Sequence, residues 1–150
     1  MAEDTKLRLM ILTQEQQLLD KNVVSLTVDT ELGQITVLPG HIPLFAKLST
    51  GELMYRWMDG TTQKQDIFAV SGGFLDVNPE GTITVLADYA VRADEISIAQ
   101  AEEAKRQAEE AMKNKESVKE FKIAEASLRQ ALNDLRVAQR RQKASSSPRL

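Results

Sequence analysis

The chain has no cysteine in its 150 residues and a single histidine, His41. A disulfide framework and a thiolate metal site are therefore excluded, and a histidine-based metal centre would lack ligands. Aromatic residues make up only 5%. Glycine and proline are both missing from Thr82 through Ser147, while all seven glycines lie at or before Gly81 and three of the four prolines at or before Pro79. Gly and Pro punctuate turns and break helices, so a turn-rich front is followed by a back half able to run as long helix. No run approaches the roughly 20 apolar residues that span a bilayer, and Met1–Leu12 lacks the flanked apolar run of a signal peptide. A soluble protein without export is expected, with any membrane link made through partners.

Charge is divided along the chain. Residues 1–90 carry 6 Lys/Arg and 12 Asp/Glu, whereas residues 91–150 carry 13 and 10. Most of the positive excess falls between Val118 and Lys143, with 7 basic and 3 acidic residues. That bias fits an acidic partner, or a solvated helix face. Nucleic acid is disfavoured, because Phe121 is the one aromatic of this segment and the whole chain carries −3.

The front reads as short strands. Val24, Leu26 and Val28 alternate with Ser25, Thr27 and Asp29, and the same period of two recurs at Ile35/Val37, at Leu53/Tyr55/Trp57 and at Ile83/Val85. Asp59-Gly60 signals a hairpin, and Asn78-Pro79-Glu80-Gly81 fits a type I turn. Several short strands separated by such turns predict a sandwich or barrel.

The back reads as two helices. Ser97/Gln100 and Ser117/Glu120 match capping boxes, joined by a polar connection over Lys113–Glu116. Ala101, Ala104, Ala108 and Ala111 mark a seam on the first helix. Phe121, Ala124, Leu128, Ala131, Leu135 and Ala138 mark one on the second. The short connection makes the helices antiparallel neighbours. Alanine seams bury little area, so the hairpin has to dock on something or move between docking sites; the residues alone leave both open. The domains are expected at 1–88 and 89–143, with a disordered tail over 144–150.

No catalytic constellation is present. Ser71-Gly72-Gly73 leads into a strand pattern rather than a helix, and reads as a bulge or tight turn. His41 lies in a proline-braced loop with no base partner that spacing can assign. Glu102 with Arg106, and Glu109 with Lys113, read as exposed i,i+4 pairs.

Together these residues resemble the epsilon subunit of bacterial F-type ATP synthase. The resemblance spans roughly residues 6–142. It rests on Gly33-Gln34-Ile35-Thr36-Val37-Leu38-Pro39-Gly40-His41-Ile42-Pro43-Leu44, on Ala69–Val77, on Thr84-Val85-Leu86-Ala87-Asp88, and on the helix segments Glu102–Arg106 and Leu135–Ala138. Thr36 stands where the family usually has glycine. The resemblance implies an all-β sandwich of about ten strands followed by an antiparallel two-helix hairpin. It also implies a non-catalytic central-stalk rotor subunit, peripheral on the cytoplasmic face of the bacterial cell membrane, coupling proton flow to ATP synthesis. Implied partners are the gamma subunit, the ring of c subunits and the alpha/beta catalytic subunits. The ring contact maps to Gln34, Pro39, Gly40 and His41. The resemblance further implies that the hairpin inhibits ATP hydrolysis by extending toward the beta subunit, with Arg129, Arg136, Arg140 and Arg141 as the expected contacts and Ala93, Asp94 and Glu95 as the hinge.

Some family members bind ATP in the hairpin through Ile/Leu-Asp-x-x-Arg-Ala. The matching stretch here is Ile96-Ser97-Ile98-Ala99-Gln100-Ala101, and further arginines of that site fall at Gln107, Gln130 and Asp134. No cofactor and no metal are expected. A nucleotide-sensing regulatory domain and a free-standing adaptor remain as alternative readings.

Overall fold

A computed structural model describes residues 7–114 and 116–146, with side chains through Lys143. The chain divides into two compact units, residues 1–91 and 92–150, three residues later than the expected boundary at 88.

The first unit is built from β1 (Leu7–Leu12), β2 (Gln17–Val23), β3 (Ser25–Thr30), β4 (Gly33–Val37), β5 (Leu44–Asp59), β6 (Thr62–Val77) and β7 (Thr82–Arg92). They form one sheet in the order β2-β1-β7-β6-β5-β3-β4. The pairing of β5 with β6 breaks between Lys47↔Phe74 and Gly51↔Val70, so each long strand serves as two segments. Counted that way the sheet has nine segments among the described residues, close to the ten expected. The ends of the order curl over: Lys21 on β2, an edge strand, places its Nζ 4.3 Å from the ring centre of Trp57 on β5. Rolled in this manner, the sheet becomes a sandwich.

Alternation explains what it encloses. Leu7, Leu9 and Ile11 of β1 are buried, as are Leu26 and Val28 of β3 and Ile83, Val85 and Ala87 of β7. They meet Leu48, Leu53, Tyr55, Phe68, Val70, Leu75 and Val77 in one core. Tyr55 packs against Phe68 with ring centres 6.2 Å apart. The turn at Asn78 forms as expected: Gly81 N–H donates to the Asn78 carbonyl at 3.2 Å, and the Asn78 side chain accepts from Glu80 N–H at 3.0 Å. The hairpin after Asp59 turns on Gly60 and Thr61, because Asp59 itself pairs with Thr62. Thr36 is a regular strand residue, its Oγ1 lying 3.1 Å from that of Thr27 on the facing strand.

The second unit opens with a 3-10 turn, Ala93–Glu95, followed by α1 (Ile98–Lys113) and α2 (Val118–Ser146). Ser97 Oγ accepts from Gln100 N–H at 3.3 Å and Ser117 Oγ from Glu120 N–H at 3.1 Å. At the second box the Glu120 carboxylate takes the N–H of Glu116, one residue before the cap. The helices pack as a hairpin over a small-residue seam in which Ala101, Ala108, Ala124, Ala131 and Ala138 are buried. Ala104 and Ala111 are exposed, contrary to the expected seam; the half-buried Lys105 and Met112 take those turns. A spacing of 3 or 4 satisfies helical periodicity equally, and the longer side chains cover more apolar surface. The buried face of α2 is also wider than expected, taking in Asn133, Asp134 and Val137. The exposed ion pairs centre on Arg106, which binds Glu103 at 2.5 Å and Glu110 at 3.1 Å rather than Glu102. Helix α2 runs on through Ser146, three residues into the segment expected to be a tail, and 147–150 lie outside the described residues.

Candidate functional site

The proline-braced loop after β4 is a type II turn. Leu38 accepts from His41 N–H at 3.0 Å. Pro39 sits at the second position, where its fixed φ is ready-made, and Gly40 at the third has φ +87°. The His41 ring locks the far side, with Nδ1 2.7 Å from the Ile42 carbonyl. A carbonyl only accepts, so Nδ1 carries the hydrogen and donates. Pro39 and His41 are half-buried, while Gly40, Ile42 and Pro43 face solvent.

Gln34, the second residue of β4, lies opposite Asp29 of β3, and its Nε2 donates to Asp29 Oδ1 at 3.0 Å. The structure does not join Gln34 to His41. Four strand steps of about 3.3 Å separate Gln34 from Leu38, so the expected contact residues are two points on one side of the unit rather than one cluster.

Residue reading missed the apolar surface beside them. Leu32 at the tip of the β3–β4 hairpin is 99% exposed, Ile42 74%, Phe45 67% and Phe74 44%. Phe45 and Phe74 stack at 5.4 Å with their planes 20° apart. Glu31 next to the tip donates its N–H to the Lys47 carbonyl at 3.0 Å, and Lys47 pairs with Phe74. Phe45 and Phe74 thus form one exposed apolar corner, and exposed apolar surface of this kind marks interaction sites. The signal was present in the chain, since the pairing Lys47↔Phe74 puts Phe45 and Phe74 outward once Leu48 and Leu75 face in. The break in β5 hid that phase.

In the helical unit, Arg129, Arg136 and Arg140 follow spacings of 7 and 4, which place them on one stripe of α2. All are exposed. Arg129 pairs with Glu125 at 3.1 Å, and Arg136 donates to Asn133 Oδ1 at 2.6 Å. Arg141 lies 100° round the helix from Arg140. It reaches Asp94 of the 3-10 turn at 3.9 Å, so this residue turns to the expected hinge instead of sharing the stripe. Ala93 is buried; Asp94 and Glu95 are exposed. Of the residues aligned with the family's ATP site, Ser97 is occupied in capping α1, Gln107 donates to Glu103 at 3.1 Å, and Asp134 is buried.

Among the described residues no group of three or more His, Cys, Asp or Glu side chains converges as metal ligands, and no helix is long and apolar enough to cross a membrane. The chemistry on show is surface: an apolar corner, a rigid turn and a basic stripe.

Residues 6–93 match the family model described as ATP synthase, Delta/Epsilon chain, beta-sandwich domain, and residues 94–139 match its long alpha-helix domain. The chain belongs to the ATP synthase epsilon-chain family. It is 39% identical over 135 residues to the ATP synthase epsilon chain of Herpetosiphon aurantiacus, covering 90% of this chain and 96% of that one. It is 34% identical over 142 residues to that of Pediococcus pentosaceus, covering 92% and 99%. Among solved structures it resembles a chain of the Euglena gracilis mitochondrial ATP synthase OSCP/F1/c-ring assembly, with TM-score 0.71, 25% identity, and 83% and 76% of the two chains covered. A chain of the Tetrahymena thermophila mitochondrial central stalk and c-ring shares the fold at TM-score 0.66, with 14% identity over 91% and 98% of the chains.

Proposed function

We propose that this epsilon-family chain is a non-catalytic rotor subunit of the central stalk of a proton-translocating F-type ATP synthase. It sits peripherally on the cytoplasmic face of the bacterial membrane and is held there through the complex. The β unit binds the gamma subunit and meets the c ring with Gln34 and the Pro39-Gly40-His41 turn. The helical hairpin reaches the catalytic subunits and restrains ATP hydrolysis, with Arg129, Arg136 and Arg140 facing an acidic segment of beta. Arg141 joins them once its long pair with Asp94 opens.

The observation that carries this reading is the match of both units, in order, to the two delta/epsilon domains. The alanine seam adds to it. Each buried alanine contributes on the order of 0.8 kcal/mol, so the hairpin is held by little and can exchange between states separated by a few kcal/mol. Deleting residues 94–150 from the assembled enzyme should raise ATP hydrolysis while leaving assembly intact. Unchanged hydrolysis would make the hairpin a static brace.

A further inference from the structure

We propose that Asp29 is a positioning residue for Gln34, holding it so that its amide oxygen faces outward as a hydrogen-bond acceptor for the partner. The proposal rests on the placement of Gln34 at the ring contact. Asp29 uses both carboxylate oxygens. Oδ1 accepts Gln34 Nε2 at 3.0 Å, and Oδ2 accepts the backbone N–H of Glu52 at 2.8 Å. An ionised carboxylate only accepts. The nitrogen of the Gln34 amide is therefore the atom on Asp29, and Oε1 is the atom left for the outside.

The anchor is itself built in. The pairing of β3 with β5 shifts register between Val28 and Thr30, at Asp29. There the carboxylate stands in for a ladder acceptor to the N–H of Glu52. A Cβ at residue 51 would collide with that carboxylate, so Gly51 is what lets it lie against β5. Tied to strands on both sides, Asp29 orders an otherwise exposed glutamine before docking. The loss of side-chain freedom then falls on folding rather than on association.

The test uses the full-length chain with Asp29→Ala, Gln34→Ala and the double variant, binding to ATP synthase stripped of this subunit. Each single change should weaken binding about fivefold, the scale of one hydrogen bond. The double variant should be no worse than either single, because Asp29 acts through Gln34. Asp29→Asn has a single acceptor oxygen for two N–H donors and turns its own NH2 toward one of them, so it should weaken binding as the alanine variant does, and wild-type binding by it would overturn the role. In the free chain, the side-chain amide NMR signals of Gln34 should move to those of a solvated glutamine in Asp29→Ala. Where the alanine variant does not fold, Asp29→Leu keeps the shape and accepts nothing. Effects that multiply in the double variant, or amide signals that ignore Asp29, overturn the positioning role. Wild-type binding by Gln34→Ala overturns the ring placement instead, and the free-chain amide signals then still decide whether Asp29 holds Gln34.

Discussion

Two glycines with positive φ separate backbone strain from steric collision. Gly40 has φ +87° and open space where a Cβ would go. Gly73 has φ +113°, and a Cβ there would run into the Leu86 carbonyl oxygen and the Ala87 Cα of the adjacent strand. Gly40→Ala should therefore cost only the left-handed penalty, about 1–2 kcal/mol. Gly73→Ala adds a clash with backbone that cannot rotate away. A strain of about 1–3 kcal/mol and overpacking of about 1–3 kcal/mol together give about 2–6 kcal/mol. Against a typical total of about 5–15 kcal/mol, the second variant should be close to unfolding and the first comfortably folded. Urea unfolding followed by tryptophan fluorescence measures both. Trp57 is the one tryptophan, and it packs against Tyr55 at 5.4 Å in the β unit. Equal losses in the two variants, or a Gly73→Ala variant within about 0.5 kcal/mol of wild type, would refute the argument that the adjacent strand is rigid at this point.

Ser97→Ala removes the side-chain acceptor for Gln100 N–H and should cost about 1 kcal/mol. Amide exchange in the first turn of α1 should quicken, and unchanged exchange would show that the cap contributes nothing. The carboxyls of Asp20, Asp59 and Glu103 are held below their ordinary pKa by hydrogen bonds from Arg8, Lys64 and Arg106 respectively. A depressed folded-state pKa stabilises above the unfolded value and is lost as pH falls through the folded one. Stability should hold to the ordinary carboxylate range near pH 4 and decline below it, less steeply in high salt. Stability that rises on acidification below that range would contradict the assignment. Isolated chain titrated with millimolar ATP in a calorimeter should show no tight binding, since Gln100, Gln107, Gln130 and Asp134 bring no positive charge to a triphosphate. Tight binding would reveal a different site.

The sandwich was legible because its signals are local. Period-two alternation at Leu26/Val28 and Ile83/Val85 states which face is wet, and Asn78-Pro79-Glu80-Gly81 encodes its own turn. Strand pairing was not legible. The parallel pairing of β1 with β7 joins residues some 74 positions apart, Leu9 with Ile83 for example, and no local pattern specifies it. The helix caps were read correctly at Ser97 and Ser117, yet Ala104 was assigned to the seam in place of Lys105. A helical repeat of 3.6 does not choose between spacings of 3 and 4, and the choice falls to tertiary packing.

The candidate site divides along the same line. The Pro39-Gly40 turn could be read residue by residue, since a proline followed by a glycine matches the φ values of a type II turn. Asp29 could not. Its role depends on a register shift between β3 and β5, on a glycine 22 residues later that leaves room for its carboxylate, and on the hairpin that carries Gln34 back beside it. None of these has a signature within a window of a few residues. The same holds for Phe45 and Phe74, apolar side chains that composition alone would assign to a core. They lie outside because the interruption at residues 48–50 and 71–73 resets which face each segment presents. The Phe45–Phe74 surface thus arises where the regular pattern of the sheet is broken, because the change of phase turns two aromatic side chains away from the core that Leu48 and Leu75 enter.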